Sequence, residues 1–483
     1  MPPRRCKIIA TVGPASRRRD IIAELLAAGV DAFRLNFSYG TADEHAEAVR
    51  LVRDLAAGQG RPVAIIQDLP GAKIRVGKIP GGPRSIVVGS VVTLVPRDVS
   101  RDTRTIPVDY PDLARVVRRG DRVLLGDGEV ALQVESATSR AIKTTALTPG
   151  TIKDSQGVTL PDTSLAEGGA TPEDLVHLET GLQLGVDYVA LSFVRTGEEV
   201  RGLKEAIRRL GGRARVIAKL ERREAIDHLD GILTAADGLM VARGDLGLQL
   251  PLEEVPIIQK RIIRAANRRG IPVITATQML ESMIRSPRPT RAEASDVANA
   301  VLDGTDAVML SAETAVGEHP VQAVRVMNRI VVEAEREPPA RHQEEAARRL
   351  APPHSMARAA AQLAEDVQAD AIVVFTRSGN SARLMSAERP RVPVLALAAN
   401  AEVACQLALL WGITPVVADV PVPAGGGLTP VEPLLLSNGL LDVGDTAVVM
   451  RWSPRRGSQW DNFVKLHKIG SGTNEPGSSS PLA

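Results

Sequence analysis

The chain has 483 residues, of which 44% are hydrophobic and 24% charged, an ordinary globular composition that excludes extensive disorder. At about 150 residues per domain, this length predicts about three domains. The 59 basic and 57 acidic side chains leave a net charge of +2, which argues against a nucleic-acid-binding protein. The small number of aromatic rings, 3 Trp, 3 Tyr and 5 Phe, argues the same way.

Neither a membrane protein nor a secreted one is predicted. No apolar run reaches the ~18 residues that a membrane span needs, and no apolar segment follows the basic residues 1–7. The two cysteines, Cys6 and Cys405, exclude a disulfide framework and a cysteine zinc cage. We therefore expect a cytoplasmic protein in a reducing compartment.

Eight apolar runs, most of them followed by an amphipathic stretch, predict the main domain. Near-continuous apolar runs suit strands that are buried on both faces, as in a parallel sheet. Thr41 and Glu44 form a predicted capping box at the start of one intervening helix. We predict an α/β fold in which these units close into a (β/α)₈ TIM barrel, with an open doubly wound sheet as the alternative. The predicted strands are residues 7–12, 32–37, 63–69, 188–194, 215–221, 238–246, 272–278 and 307–314.

The alternation of strands and helices is interrupted twice. Between residues 71 and 162, short Val-rich runs separated by turn formers predict a small inserted all-β domain. Prolines near residues 338 and 352 flank a charged linker, after which four apolar runs predict a separate α/β domain. The predicted domains are the barrel (1–70 and 163–337), an inserted β-barrel lid (71–162), a C-terminal α/β regulatory domain (345–470) and a disordered tail (471–483).

Polar side chains end almost every predicted barrel strand. In a TIM barrel the catalytic residues lie at the C-terminal ends of the strands, although strand ends are also polar simply because they meet solvent. The residues at these ends are Thr11, Arg34, Asn36, Asp68, Ser192, Arg195, Lys219, Glu221, Arg243, Asp245, Thr277, Ser311 and Glu313.

The most informative of these positions are Lys219 and Glu221, which share one face of a strand because side chains alternate with period 2. Charges inside a buried strand must be paired, so either they form a structural ion pair or they serve a ligand. Asp245 follows the next strand, and two neighbouring carboxylates without His or Cys suit Mg²⁺ or Mn²⁺. The surrounding Arg and Lys side chains favour an anionic substrate that carries phosphate or carboxylate.

Longer motifs give the chain a family resemblance. Residues 7–16 read KIIATVGPAS, residues 34–38 RLNFS, residues 240–247 MVARGDLG and residues 276–283 ATQMLESM, continuing into RPTRAE at 288–293. From residue 7 to about residue 469 the chain resembles the pyruvate kinase family. The resemblance implies phosphoryl transfer from phosphoenolpyruvate to ADP, Mg²⁺ or Mn²⁺ as cofactor, and a homotetramer.

The resemblance also implies roles for individual residues. Glu221 and Asp245 match the divalent-metal ligands, Lys219 the lysine that stabilises the transition state, and Arg34 a residue that holds the phosphoryl group. Thr277 matches a catalytic and substrate-pocket position, and we expect it to orient a water molecule. The remaining matches are Gly244 and Ser311 (with Glu313 beside it) in the substrate pocket, Asn36 and Arg75 at the nucleotide, and Asn36, Ser38 and Asp68 at a monovalent cation.

One departure from the family lies in residues 68–75, DLPGAKIR, where the common form is DTKGPEIR. A glutamate in that pocket usually accompanies a bound K⁺, and here Lys73 replaces it. An ammonium group carries the same charge as K⁺, so we predict that Lys73 takes its place and that activity needs no added K⁺. The alternative is a lysine that points to solvent.

Residues 376–381, TRSGNS, follow a predicted strand in the C-terminal domain and are similar to the family's effector loop. Their hydroxyl groups, a glycine and a helix N-terminus predict a site for a phosphorylated allosteric effector. A helix cap without a ligand is the alternative. The predicted effector residues are Thr376, Arg377, Ser378, Gly379 and Ser381.

Two other functions compete with that of a pyruvate kinase. A Mg²⁺-dependent lyase or aldolase would use the same kind of metal site, but would need neither the inserted domain nor Arg75. A non-catalytic, metabolite-binding regulator would have no reason to retain Lys219, Glu221, Asp245 and Thr277.

Overall fold

A closed barrel of eight parallel strands forms the centre of the molecule. The structure is a computed structural model, and it describes residues 4–96, 102–126, 128–163, 168–337, 352–418, 428–452 and 462–470. The barrel strands are β1 (Lys7–Val12), β2 (Ala32–Asn36), β3 (Ala64–Asp68), β12 (Tyr188–Leu191), β13 (Arg215–Leu220), β14 (Gly238–Ala242), β15 (Val273–Ala276) and β16 (Ala307–Leu310). Their order around the barrel follows the chain, and β16 closes it by pairing with β1. The prediction of a TIM barrel, and not an open sheet, is therefore confirmed.

The predicted strands begin within one residue of the observed ones, but most of the predicted ends are too late. The run 238–246 was wrong beyond Ala242, because the chain enters a helix at Arg243. The run 272–278 was wrong beyond Ala276, because Thr277 and Gln278 have φ angles of 67° and 54°. A residue in the left-handed region cannot continue a strand. Polar residues that were assigned to strands therefore lie in the loops and helix starts at the barrel rim.

Helices surround the barrel and bury their apolar faces against it. The predicted capping box of Thr41 with Glu44 is confirmed, and Thr171 and Thr290 form two more. The barrel helices are α1 (Arg19–Ala27), α2 (Ala42–Gly58), α4 (Pro172–Gln183), α5 (Gly197–Arg209), α6 (Arg223–Asp227), α7 (Leu229–Ala235), α8 (Arg243–Gln249), α9 (Val255–Arg268), α10 (Arg291–Leu302), α11 (Ala312–Ala315) and α12 (Pro320–Ala334), with a 3₁₀ turn at Glu281–Ile284.

An all-β unit with its own apolar core, which we call the lid, is inserted between β3 and α4. At its start Gly71 has a φ of 68° and lies so close to Ser192 that a Cβ would be 2.8 Å from that side chain, so only glycine fits. Two sheets build the lid, one of two strands and one of six. Its elements are β4 (Arg84–Ile86), β5 (Val91–Val95), β6 (Thr105–Pro107), α3 (Leu113–Val116), β7 (Arg122–Leu125), β8 (Val130–Ala137), β9 (Ile142–Ala146), β10 (Gly150–Ile152) and β11 (Val158–Thr159).

The C-terminal domain is a five-stranded sheet with helices and two apolar clusters of its own. Four parallel strands match the predicted ones, and an antiparallel edge strand, β21 (Phe463–Lys468), was missed. The elements are α13 (Pro352–Asp366), β17 (Ala371–Thr376), α14 (Asn380–Ala387), β18 (Val394–Ala398), α15 (Ala401–Leu407), β19 (Ile413–Val417), α16 (Glu432–Ser437), β20 (Thr446–Arg451) and β21 (Phe463–Lys468). Most of the predicted linker and the whole predicted tail lie outside the described residues.

The C-terminal domain packs against the end of the barrel where the strands begin. Lys7, the first residue of β1, donates to the carbonyl of Ile413 at 2.7 Å. The hydroxyl of Tyr188, the first residue of β12, donates to the carbonyl of Gln406 at 2.6 Å. These contacts place the described part of the C-terminal domain at the opposite end of the barrel from the rim where the strands end. Among the described helices, none is long and apolar enough to cross a membrane.

An ion-pair cluster around Asp31 holds the start of β1 against the chain just before β2. The Asp31 carboxylate lies 2.6 Å from Arg4 Nη2 and 2.7 Å from Arg61 Nη2, and it accepts from the amide of Ile8 at 2.8 Å. Burial acts to raise the pKa of Asp31, but Arg4, Lys7 and Arg61 outweigh it and lower the pKa from 3.8 to about 2.

We predict that Asp31→Asn lowers the free energy of unfolding by about 3 kcal/mol, because it leaves the largely buried side chain of Arg4 without its carboxylate partner. A lowered carboxyl pKa stabilises the fold above the unfolded value of 3.8, and this stabilisation disappears as the pH falls towards about 2. The deficit of the variant, measured by urea unfolding, should therefore be full at pH 6 and shrink below pH 3.8. A deficit that did not change with pH would contradict this assignment.

Candidate active site

Lys219 stands at the centre of a charged cluster on the barrel rim, near the end of β13. Its Nζ lies 2.9 Å from Glu221 Oε1 and 3.1 Å from Asp68 Oδ1, and it donates to Ser192 Oγ at 2.7 Å. The side chains of Glu221 and Asp68 are each 2% exposed and that of Lys219 is 11% exposed. Three neighbouring strands, β3, β12 and β13, therefore deliver polar groups to one point.

The charges of this cluster shift one another's pKa values. Burial acts to lower the pKa of Lys219, but the carboxylates of Asp68 and Glu221 more than compensate and raise it, so the amine is a permanent cation. Burial also raises the pKa of Glu221, and the nearby charge of Asp245 adds to this effect against the attraction of Lys219. A cation bound between Glu221 and Asp245 would relieve their repulsion.

Arg34, from β2, extends the positive side of the cluster. Its Nε donates to Asp68 Oδ2 at 2.6 Å, and its Nη1 donates to Thr11 Oγ1 at 3.2 Å. Burial acts to raise the pKa of Asp68, but Lys219 and Arg34 outweigh it and hold the pKa below its usual value. Asp68 thus pairs with both Lys219 and Arg34, two cations at the same rim. This role was not predicted, since the sequence assigned Asp68 only to a monovalent cation.

Gly244 and Thr277 meet across the ends of β14 and β15. The amide of Gly244 donates to Thr277 Oγ1 at 2.8 Å, and the Thr277 hydroxyl donates to the carbonyl of Ala276 at 2.6 Å. Arg243 Nη2 donates to the carbonyl of Thr277 at 2.8 Å, and Arg243 also pairs with Asp296 at 2.7 Å. These contacts hold Thr277 at its positive φ, a strained conformation that is found most often at functional sites.

Ser311 and Glu313 follow β16. Glu313 is fully buried and accepts from the amides of Ser311 at 2.7 Å and Leu280 at 3.1 Å, which fixes the two neighbouring loops. The Ser311 hydroxyl is buried and has no hydrogen-bond partner within the described part of the chain. A buried polar group without a partner is one that a bound substrate can satisfy.

Two of the predicted monovalent-cation residues, Asn36 and Asp68, end adjacent strands, and Ser38 lies in the turn after β2, but Lys73 does not contact these residues. Asn36 is in register with Asp68, and its Oδ1 accepts from the amide of Ser38 at 3.1 Å. Lys73 is exposed and makes no hydrogen bond or ion pair with these three residues in the described contacts. Its Cε is 3.3 Å from the position that a Cβ on Gly157 would take, so it lies along the lid.

Arg75 also belongs to the lid and not to the cluster. Its Nη1 donates to the carbonyl of Ser155 at 3.2 Å, and its backbone pairs with Gly157. The predicted nucleotide-binding residues therefore belong to different domains, Asn36 to the barrel and Arg75 to the lid.

The predicted effector loop connects β17 to α14 in the C-terminal domain. Thr376, Gly379 and Ser381 are buried, whereas Arg377 and Ser378 are exposed. The predicted helix N-terminus is confirmed, but its N-cap is Gly379 at a φ of 83°, without a side-chain cap. The hydroxyl groups of the loop therefore do not cap this helix, and the effector site stays a prediction.

Phe193 contributes to the site through its backbone amide, a role that the sequence did not predict. It has a φ of 54°, and its amide donates to Glu221 Oε2 at 2.6 Å, which orients this carboxylate. A phenylalanine within an apolar run carries no signal for such a role. Asp245 also differs from expectation, because it lies in the first turn of α8 and not on a strand.

The carboxylates of Glu221 and Asp245 can hold a hard divalent cation only together with ligands from water or the substrate. Within the described residues, no three or more His, Cys, Asp or Glu side chains are arranged to hold a metal ion. Glu221 and Asp245 offer oxygen ligands alone, and Mg²⁺ is usually bound by one or two carboxylates together with water and substrate oxygens. The residues therefore fit a metal whose remaining ligands come from the substrate.

The fold and the charged cluster define a TIM-barrel enzyme with its site at the C-terminal ends of the strands. Residues 3–324 match the family model for the pyruvate kinase barrel domain, and residues 354–467 match that for the pyruvate kinase alpha/beta domain. The chain belongs to the pyruvate kinase family, whose members are phosphotransferases that generally use a divalent metal.

Several pyruvate kinases are similar to this chain over most of its length. The chain is 46% identical to pyruvate kinase 2 of Synechocystis sp. over 424 residues, which cover 87% of this chain and 72% of that protein. It is 41% identical to the pyruvate kinase of Mycobacterium tuberculosis, over 97% of this chain and 99% of that protein. A solved pyruvate kinase structure from Cryptosporidium parvum superposes with a TM-score of 0.89 at 33% identity, over 96% of both chains.

Proposed function

We propose that this chain catalyses the last step of glycolysis, in which the phosphoryl group of phosphoenolpyruvate passes to ADP to give pyruvate and ATP. The observation that carries the proposal is the Lys219 amine, held about 3 Å from both Asp68 and Glu221 on the barrel rim. The family match supports it, because it covers both the barrel and the C-terminal domain. The barrel lyase and the non-catalytic regulator have no such support.

The two cations of the site are placed to stabilise a migrating phosphoryl group. In phosphoryl transfer, charge spreads over the oxygens of a loose transition state, so catalysis is mainly positioning and electrostatics. Lys219 and Arg34 share Asp68 as a partner, which holds the two cations near each other despite their mutual repulsion. Their preformed positions avoid reorganisation during the reaction.

Glu221 and Asp245 are the proposed ligands of the divalent cation, Mg²⁺ or Mn²⁺. When bound, the ion supplies positive charge to the oxygens of the substrate. The amide of Phe193 and the amine of Lys219 hold Glu221 in place for this role.

Three residues complete the substrate pocket. The backbone of Gly244 allows close approach of the substrate carboxylate, and the buried Ser311 hydroxyl offers an unused hydrogen bond. The enolate formed by phosphoryl loss must gain a proton. A threonine hydroxyl is too weak an acid to donate freely, so Thr277 is proposed to orient a water molecule.

The lid is proposed to close over the nucleotide. Asn36 from the barrel and Arg75 from the lid are its proposed contacts, and closure would exclude water that would otherwise hydrolyse the phosphoryl group. We further propose a cytoplasmic homotetramer, which the family resemblance implies.

Activity is predicted not to need K⁺, with the ammonium of Lys73 supplying the charge beside Asn36, Ser38 and Asp68. Since Lys73 does not contact these residues in the present lid position, the proposal requires the lid to move. In a buffer free of K⁺ and Na⁺, added KCl should change turnover little, whereas Lys73→Glu should make turnover depend on KCl. A large stimulation of the unaltered enzyme would refute the prediction.

A phosphorylated allosteric effector is predicted at the loop of Thr376, Arg377, Ser378, Gly379 and Ser381. Sugar phosphates and nucleoside monophosphates should shift the phosphoenolpyruvate saturation curve, and Arg377→Ala should remove the shift without changing maximal turnover, because this loop is on the other domain. If no phosphorylated metabolite shifts the curve, the loop is not an effector site.

One assay tests the proposed reaction against its alternatives. Purified protein with phosphoenolpyruvate, ADP and MgCl₂ should form ATP and pyruvate in equal amounts. Pyruvate formed without ADP would favour a lyase or phosphatase, and no turnover would favour a regulator.

A further inference from the structure

A second crevice, beside the Lys219 cluster, lies where the lid joins the barrel rim. It is narrow and open to solvent. The two chain segments that lead into and out of the lid form one wall, and the loops after β12, β13 and β14 form the other. The residues that matter here are Lys73 and Thr159 from the lid, and Phe193, Arg222 and Asp245 from the barrel.

Arg222 is the unusual residue of this crevice. It is only 7% exposed, yet its side chain forms no hydrogen bond or ion pair in the described part of the chain, and its Nε is buried without a partner. The guanidinium group lies 5.2 Å over the ring of Phe193, which holds it in place but leaves Nε without a hydrogen-bond partner. Burial lowers the pKa of this guanidinium although Glu224, Glu221 and Glu199 attract it, so a bound anion would stabilise its charge.

Lys73 gives the crevice a second cation from the opposite wall. Because the planar guanidinium matches the oxygens of phosphate in a bidentate manner and the ammonium adds a point charge, the pair suits a doubly charged oxyanion better than a single carboxylate. Thr159 can add a hydroxyl group. Asp245 also lines the crevice and opposes an anion unless a cation neutralises it.

We propose that this crevice binds a small, doubly charged oxyanion of the phosphate type, held between Arg222 of the barrel and Lys73 of the lid. Lys73 and Arg222 lie on different domains, so an anion bound to both would hold the lid against the barrel rim. Two residues that line the crevice, Lys73 and Asp245, also have roles in the proposed function. The anion site therefore belongs to the present lid position, in which Lys73 faces the crevice, and Arg222, which has no role in the proposed reaction, is the residue that tests it.

Calorimetric titration of the full-length protein with inorganic phosphate, in MgCl₂, tests the proposal. We expect two phosphate sites per chain, one lost in Arg34→Met and the other lost in Arg222→Met. Arg222→Met should weaken its site at least about tenfold, as expected for the loss of charged hydrogen bonds. If Arg34 does not bind phosphate, the unaltered protein shows one site, and Arg222→Met still removes it.

Lys73→Met provides a second variant in case Arg222→Met does not fold. It should weaken the same site, whereas the matched control Lys78→Met, which removes an exposed lysine of the lid outside the crevice, should not. Acetate should displace phosphate from this site at least about tenfold less well. Phosphate binding that is unchanged in Arg222→Met, or equal in Lys73→Met and Lys78→Met, would overturn the proposal, and equal displacement by acetate would overturn the preference for a doubly charged ion.

Discussion

Replacing Lys219 with methionine is expected to lower turnover by about three orders of magnitude or more, a larger loss than any other single substitution in the site should cause. Methionine keeps the length and most of the packing of lysine but removes the positive charge that faces the migrating phosphoryl group. Loss of one preorganised charged or hydrogen-bonding group at such a position costs about 10²- to 10³-fold. Removing this amine also leaves Glu221 and Asp68 repelling each other.

The effect should fall on kcat and not only on the KM for phosphoenolpyruvate, because the charge acts most strongly in the transition state. Lys204→Met is the matched control, since Lys204 pairs with Asp237 at 2.9 Å on the outside of the barrel and is partly exposed. Such a pair contributes about 0–1 kcal/mol, so the control should keep nearly full turnover. If Lys219→Met kept most of its turnover, Lys219 would not have the role proposed.

Replacing Glu221 with glutamine should produce the second large effect, a loss of up to about 10³-fold in turnover together with weaker binding of the divalent ion. Glutamine has the same shape but no charge, so it is a poor ligand for a hard cation. It also removes a partner of the buried Lys219. Mn²⁺ binding, measured by electron paramagnetic resonance, separates this effect from general damage to the fold.

Glu253→Gln is the control for this substitution, because Glu253 is exposed in a loop after α8. It should leave both Mn²⁺ affinity and turnover unchanged. Mn²⁺ affinity equal to that of the unaltered protein in Glu221→Gln would show that the ion binds elsewhere.

The barrel could be predicted from the sequence because its strands are buried on both faces. An apolar run such as residues 7–12 then marks the whole strand, and the observed β1 has the same bounds. The ends were harder to predict, since Arg243 and Thr277 continue apolar runs in the sequence but leave the strand in the structure. The edge strand Phe463–Lys468 was missed because its sequence, FVKLHK, mixes apolar and polar residues and lacks the continuous apolar run that marks a buried strand.

The charged cluster was only partly predictable. The pairing of Lys219 with Glu221 could be predicted because side chains two residues apart lie on the same face of a strand. The contact of Lys219 with Asp68 joins residues 219 − 68 = 151 positions apart, and it depends on how the barrel closes, which no local pattern reports. The position of Lys73 likewise depends on the orientation of the lid, so the sequence predicts its chemistry but not its contacts.

A crystal structure with Mn²⁺ and oxalate tests the central claim most directly, since oxalate is a planar dianion that resembles the enolate of pyruvate. We predict one Mn²⁺ bound by the carboxylates of Glu221 and Asp245, with oxalate completing its ligands and lying beside the Lys219 amine. A Mn²⁺ ion bound elsewhere, or carboxylates that face away from it, would contradict the account.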